Sequence, residues 1–148
     1  MAVDQATVCY IDTSALIKRY LEEDGSDAFD AFCELPAIER VLCPLGVTEF
    51  TGVLERRVRL RSLTRSQASA VRQRLLAEVA AGGWRMLEFE AEMFSRAGNL
   101  MIELGAPLAT LDALHLACAL HHGTQEFATA DLRLATAARK AKLHVRTF

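Results

Sequence analysis

The chain lacks several features that would announce a function. It has no surplus of positive charge: seventeen Lys and Arg against nineteen Asp and Glu leave a formal net charge of −2. The molecule as a whole is therefore not a basic nucleic-acid binder, and any such contact must come from a local patch. The four cysteines, Cys9, Cys33, Cys43 and Cys118, form no C-x-x-C pair and no metal-finger spacing. A zinc site or a disulfide framework is accordingly not expected, and Cys9 and Cys118, inside apolar runs, read as buried thiols. No apolar run approaches the length of a membrane-spanning helix. Met1-Ala2-Val3-Asp4-Gln5 has no basic segment followed by an apolar stretch, so no signal peptide is expected and a soluble cytoplasmic protein is the natural reading. Repeats, linkers and low-complexity tracts are missing as well.

What is present suits one compact domain. The chain has 148 residues, of which 51% are apolar, enough for a core without disulfide staples. Thr7 to Ile11 is short, apolar and β-branched, and predicts a buried strand. Helical spacing runs from Ser14 to Leu21 and is broken by Glu22-Glu23-Asp24-Gly25, after which Ser26 is placed to cap a helix through about Glu34. Arg40 to Cys43 predicts a second strand ended by Pro44, and a helix from about Gly46 to Arg59 follows. Thr64-Arg65-Ser66-Gln67 is a capping box opening a long helix that stops at Gly82-Gly83. Trp84 to Phe89 predicts a third strand, Glu90 to Leu104 and Thr110 to His121 two helices, and Glu126 to Thr129 a fourth strand. Leu132 to Lys142 predicts a last helix and His144 to Phe148 an edge strand. Strands alternating with helices imply an α/β sandwich on a mostly parallel sheet. In such sheets the binding crevice lies beyond the carboxyl ends of the strands.

Four acidic residues occupy positions where a strand should end or a helix begin: Asp12, Glu49, Asp112 and Asp131. Each sits in apolar surroundings, where a lone carboxylate is costly unless paired. Hard divalent cations such as Mg²⁺ and Mn²⁺ are suited to partner several carboxylates at once. Two carboxylates about 4 Å apart repel by roughly 4 kcal/mol at an effective dielectric of 20, so without a cation one of them should protonate. A bound cation reverses that balance and can activate water and neutralise a phosphate. Singly, Asp131 reads as a helix cap and Glu49 as a solvated helical residue. The joint pattern, with Asp12 directly after Val8-Cys9-Tyr10-Ile11, carries the inference to metal-dependent chemistry on a phosphodiester.

Three stretches carry a resemblance: Tyr10-Ile11-Asp12-Thr13-Ser14-Ala15-Leu16-Ile17-Lys18-Arg19-Tyr20, Leu111-Asp112-Ala113-Leu114-His115-Leu116-Ala117, and Thr129-Ala130-Asp131-Leu132-Arg133-Leu134-Ala135. In order and spacing the chain resembles PIN-domain ribonucleases, and among them the VapC-type toxins of bacterial toxin–antitoxin pairs, nearly end to end. The resemblance implies a three-layer α/β/α sandwich with a mostly parallel central sheet, forming a single domain over residues 1–148. It implies an endoribonuclease with Mg²⁺ or Mn²⁺ held by Asp12, Asp112 and Asp131, Glu49 completing the acidic pocket. It places Thr13 and Ser14 at the cap of the first helix near the metal, and makes Thr129 a hydroxyl that holds a carboxylate or water. It implies an RNA substrate, a VapB-like antitoxin and a homodimer. In such proteins apolar surface on the first helices, here Leu16, Tyr20 and Phe29, forms a groove for the antitoxin. Ala130, where many relatives have an aromatic, and Ala109, near where many carry an arginine, depart from the pattern without removing a ligand.

Arg56, Arg57, Arg59, Arg61, Arg65, Arg72 and Arg74 gather seven of the seventeen basic residues into one stretch. It reads either as an RNA-gripping rim, since arginine's planar fork suits phosphate, or as a solvated or partner-docking face. Lys18 and Arg19, after the Asp12 motif, are further candidates for RNA contact, as Arg56 and Arg57 are. His115 reads as a packed core histidine rather than a metal or proton-transfer group, and His121 and His122 suit a helix C-terminus. Trp84 reads as core. Two rival functions are a non-catalytic PIN-fold module binding RNA or protein, and a haloacid-dehalogenase-like phosphatase. The latter chemistry wants a second acid two residues after the first, where Ser14 stands.

Overall fold

The computed structural model describes residues 6–148; the Met1–Gln5 segment, read above for a leader, lies outside the described residues. Five strands form one sheet in the order β3-β2-β1-β4-β5, with every neighbouring pair parallel. The strands are β1 (Thr7–Ile11), β2 (Ile38–Leu42), β3 (Arg85–Met86), β4 (Glu126–Thr129) and β5 (His144–Thr147). The α-helices are α1 (Thr13–Leu16), α2 (Ser26–Cys33), α3 (Pro44–Arg59), α4 (Arg65–Ala80), α5 (Ala91–Glu103), α6 (Thr110–His121) and α7 (Leu132–Lys140).

Side chains alternate across a strand, and here the alternation separates two cores. Tyr10, Val41 and Phe127 point to one face, where Leu100, Leu116 and Leu134 from α5, α6 and α7 cover them. Cys9, Ile11, Leu42 and Ala128 point to the other, against Leu16, Phe29, Phe50 and Leu75 from α1 to α4. The result is a three-layer α/β/α sandwich. The four cysteines are all free and buried. Among the described residues no helix is long and apolar enough to cross a membrane.

Several elements differ from the sequence expectation. The first helix is one α-turn from Thr13 to Leu16 and then a 3₁₀ turn, Ile17–Arg19, and Asp12 rather than Thr13 or Ser14 caps it: the Asp12 carboxylate accepts from Ala15 N. Ser26 does not cap α2. The cap is Gly25, in the left-handed region at φ 87°, and the Ser26 hydroxyl instead bonds back to Glu23 N and Leu21 O. Pro44 opens α3 instead of merely ending a strand, since its missing N–H costs nothing at the first helical position. The predicted strand Trp84–Phe89 shrinks to two residues at the sheet edge. The capping box at Thr64 and Gln67 forms as read.

Leu16, Tyr20 and Phe29 do not offer an open groove. All three are buried in this chain's own core, Tyr20 edge-on to Phe50 and Phe29 edge-on to Phe148. The sequence shows that these residues are apolar but not that α3, α4 and the last residue already cover them.

Candidate active site

β1 and β4 are adjacent and parallel, so residues that follow them emerge side by side. Asp12 follows β1 and is 4% exposed. Its Oδ1 accepts from Ala15 N at 3.0 Å and from the Ser14 hydroxyl at 2.8 Å, and its Oδ2 accepts from the Thr129 hydroxyl at 2.9 Å. The same two hydroxyls accept from the backbone after β4: Ala130 N donates to Ser14 and Asp131 N to Thr129. Ser14 and Thr129 thus stitch the two strand ends together and aim both protons at Asp12. None of these partners is cationic. Burial dominates and pushes the Asp12 carboxyl up to about 6, against the opposing pull of its hydrogen bonds and of His115.

Asp131 caps α7, its Oδ1 accepting from Arg133 N at 2.7 Å and Leu134 N at 3.0 Å. The cap reading of this residue and its place in the acidic cleft are therefore both true. Asp112, half-buried in the first turn of α6, has no hydrogen-bond partner among the described residues. Burial raises its pKa, and the charges of Asp131 and Glu49 raise it further. Glu49, on α3, accepts from the Thr13 hydroxyl at 2.7 Å and pairs with His115 Nε2. Burial would raise Glu49, but the His115 hydrogen bond and charge outweigh it and leave its pKa lowered. His115 moves in the complementary direction: burial opposes its charging, yet the nearby Cys43 thiol and the Glu49 carboxylate push it up to about 10.

An open cleft of about 460 Å³ collects these groups. Asp12, Glu49, Asp112 and Asp131 all line it, with Thr13, Ser14 and His115 at its floor and Arg56 at its rim. Thr129 lies just beneath, behind Asp12. Among the described residues no three His, Cys, Asp or Glu side chains converge tightly enough to hold a metal ion on their own. The acids form a ring around shared space, not a closed cage.

The remaining basic candidates are not brought together here. Lys18 is buried, donating to the Asp24 carbonyl and lying 3.9 Å from Glu23. Arg19 pairs with Asp30 at 2.9 Å and Glu34 at 3.3 Å, and Arg57 with Glu23. Arg65 and Arg74 are likewise engaged, by Glu55 and Glu78. Arg56 pairs with no acid among the described residues and lines the cleft.

The feature the sequence did not reveal is the link between Glu49, His115 and Tyr10. His115 is buried, as expected of a core histidine, but its ring joins a site acid on one side to the Tyr10 hydroxyl on the other. No local signal joins Tyr10, Glu49 and His115, which come from three separate parts of the chain.

The model of the PIN domain family matches residues 9–140. No curated protein matches the sequence. Among solved structures, VapC20 from Mycobacterium tuberculosis, a Sarcin-Ricin loop cleaving toxin, superposes with a TM-score of 0.67 at 16% identity, over 87% of this chain and 94% of that one. VapBC2 from Rickettsia felis, solved with a DNA fragment from the promoter, gives 0.66 at 12% identity, over 95% and 98%. A toxin–antitoxin complex from Klebsiella pneumoniae gives 0.63 at 17% identity, over 94% and 96%. At these identities the likeness is one of fold. With the family model spanning nearly the whole chain, and with the sheet and acidic cleft described above, this chain belongs to the PIN domain family.

Proposed function

We propose that this PIN-domain protein is a VapC-type toxin: an Mg²⁺- or Mn²⁺-dependent endoribonuclease that hydrolyses RNA phosphodiester bonds and is restrained by a VapB-like antitoxin. The observation that carries the reading is the meeting of Asp12, Glu49, Asp112 and Asp131 in one cleft beyond the ends of β1 and β4. The similarity in fold to VapC20, described as a cleaving toxin, and to a toxin–antitoxin complex supports the same assignment.

The donor set suits a hard cation. All four groups offer carboxylate oxygen, the ligand that Mg²⁺ and Mn²⁺ prefer. Asp12 is buried with only neutral donors around it, and Asp112 is destabilised as an anion by Asp131 and Glu49. Asp12, Asp112 and Asp131 would hold the ion directly or through water, with Glu49 completing the pocket. Their open spacing suits an ion that keeps several of its waters. Bound there, such a cation supplies a lowered water pKa and charge neutralisation at the scissile phosphate.

The chain's own residues do the rest. Ser14 and Thr129 fix the Asp12 carboxylate by donating to it, so its orientation costs no reorganisation. Thr13 holds Glu49 from the side of α1. Arg56, about two turns along α3 from Glu49, presents its fork at the rim, where it can take a phosphate of the RNA strand. A homodimer belongs to the same proposal. It is supported by an exposed apolar stripe on α5, where Phe94 and Ile102 are 60% and 82% exposed.

The test is cleavage of a mixed RNA pool by the purified protein with Mg²⁺, with Mn²⁺ and with EDTA, alongside Asp12→Asn. The expected outcome is metal-dependent cleavage that the variant loses while keeping its fold. Undiminished cleavage by Asp12→Asn would remove the acidic cleft from the chemistry. Binding of RNA without cleavage in either metal would make the chain a binding module.

A further inference from the structure

His115 is 2% exposed and polar, and its two ring nitrogens face different ways, Nε2 toward Glu49 and Thr13 at the cleft and Nδ1 toward Tyr10 in the core. Its Nδ1 lies 2.7 Å from the Tyr10 hydroxyl, which is itself 2.8 Å from Cys43 Sγ. Its Nε2 bonds to Glu49 Oε2, the same oxygen that accepts from the Thr13 hydroxyl at 2.7 Å. A buried string of side chains therefore runs from Cys43 through Tyr10 and His115 to Glu49. An ionised carboxylate only accepts, so the proton on this bond must belong to Nε2. In the neutral ring, Nδ1 then accepts from the Tyr10 hydroxyl; in the imidazolium, Nδ1 donates to it. Nε2–H donates to Glu49 in both cases, so the arrangement at Glu49 does not depend on the charge of the ring.

The geometry points to His115, together with Thr13, as a positioning residue for the cleft: the pair occupies Glu49 Oε2 and leaves Oε1 as the single oxygen that Glu49 offers to whatever binds there. This rests on the reading of the cleft as a nuclease site. Two donors exhaust the lone pairs of Oε2, and Oε1 has no partner among the described residues. Glu49 also has Asp112 as a repelling neighbour. An untethered glutamate with several rotatable bonds would swing away from that charge into solvent, and the tether costs it that freedom in advance. The three groups come from α1, α3 and α6, so the same bonds fix the relative placement of the elements that carry Asp12, Glu49 and Asp112.

Histidine-selective ¹⁵N NMR of the metal-free protein reads the contact whether or not the protein cuts RNA. His115 Nε2 is expected to carry a proton and to shift on Glu49→Gln. An Nε2 without a proton, or one indifferent to Glu49→Gln, overturns the proposal. In the cleavage assay, His115→Leu is expected to lower kcat by roughly 10–100-fold, the usual cost of losing a group that orients a ligand, with KM little changed. His115→Gln, whose amide can donate from the place of Nε2–H, should recover most of that loss and guards against simple misfolding. His115→Leu combined with Glu49→Gln should fall no further than Glu49→Gln alone, because both act through one carboxylate. A folded His115→Leu with unchanged kcat, or losses that multiply in the double variant, overturns the role. Absence of cleavage by the wild type strikes the nuclease reading instead, and the NMR result still decides this one.

Discussion

Asp12 is nearly sealed from solvent, and its hydrogen-bond partners are an amide and two hydroxyls, with no cation among them. In the unfolded chain its carboxyl titrates near 3.9, whereas in the fold burial pushes it up to about 6. The folded state therefore holds the proton more tightly. Between those two values the metal-free protein loses stability as pH rises, and above the folded value the cost stays constant. A separation of about two pH units corresponds to roughly 3 kcal/mol. Asp12→Asn removes that cost while keeping an acceptor for Ala15 N, and Ser14 and Thr129 can turn their hydroxyls to suit. Urea unfolding of the metal-free protein should thus find the variant more stable at pH 7.5, by up to about 3 kcal/mol, and level with the wild type near pH 4. Added Mn²⁺ should narrow the gap at neutral pH by stabilising only the wild type. A gap that ignores pH would mean that Asp12 is not the strained anion its surroundings imply. The site's central acid is in this view a stability cost, kept for what it can bind.

Gly25 makes the corresponding case for an element. It caps α2 at φ 87°, and a Cβ there would lie 2.8 Å from the backbone carbon of Phe148, a contact that backbone cannot relax cheaply. Phe148 in turn packs edge-on against Phe29 and beside Phe32, so the turn into α2 is built around Phe148. Gly25→Ala should cost about 1–3 kcal/mol, from the positive φ and the contact together, read as a lowered urea midpoint with unchanged slope. A midpoint equal to the wild type would show that Phe148 moves aside freely. Gly25 also marks where sequence patterns stop being informative. Glu22 to Gly25 is visible as a break, but the close approach that reserves position 25 for glycine comes from Phe148, more than a hundred positions away. The same holds at α1, where helical spacing from Ser14 to Leu21 is real but the chain tightens into a 3₁₀ turn after Leu16. Elements whose signals are local, such as the capping box at Thr64 and α6 from Thr110 to His121, fall where the sequence puts them. Asp12, Asp112 and Asp131 were legible because each ends a strand or begins a helix, places that a parallel sheet gathers at one edge, whereas Glu49, expected near a helix start, lies in the second turn of α3 because that helix already opens at Pro44. The tether through His115 was not, since it is made only by tertiary contact. Nor was the fate of the basic stretch, because an arginine's partner cannot be read from a run of arginines: Arg57 is turned to Glu23 while its neighbour Arg56 faces the cleft.

At the scale of the whole molecule, the two sides of the sheet are finished differently. The α1–α4 side buries Leu16, Tyr20 and Phe29, so these three have nothing left to offer a partner. The other side leaves α5 with Phe94, Met101 and Ile102 on its outer surface, at 60%, 39% and 82% exposure. Their spacing of seven and eight residues from Phe94 puts them on one stripe, and Gly98 lies along it with open space around its Cα. Large apolar side chains exposed along one stripe mark an interaction surface, and a glycine on it lets a second helix approach closely. In the homodimer proposed above, the face would meet itself in a two-fold pair, because such an interface uses the same patch on both copies. Sedimentation of the purified protein should therefore show a dimer at micromolar concentration. Ile102→Glu, which would bury a charge against Phe94 of the second copy, should weaken association at least tenfold, at a cost of about 1.4 kcal/mol or more. Ile102 is mostly exposed in the single chain, so the fold should survive the change, and circular dichroism would check that. A wild type that stays monomeric across this range would leave the stripe for another partner, the antitoxin first among them. A dimer indifferent to Ile102→Glu would place the interface elsewhere on the molecule.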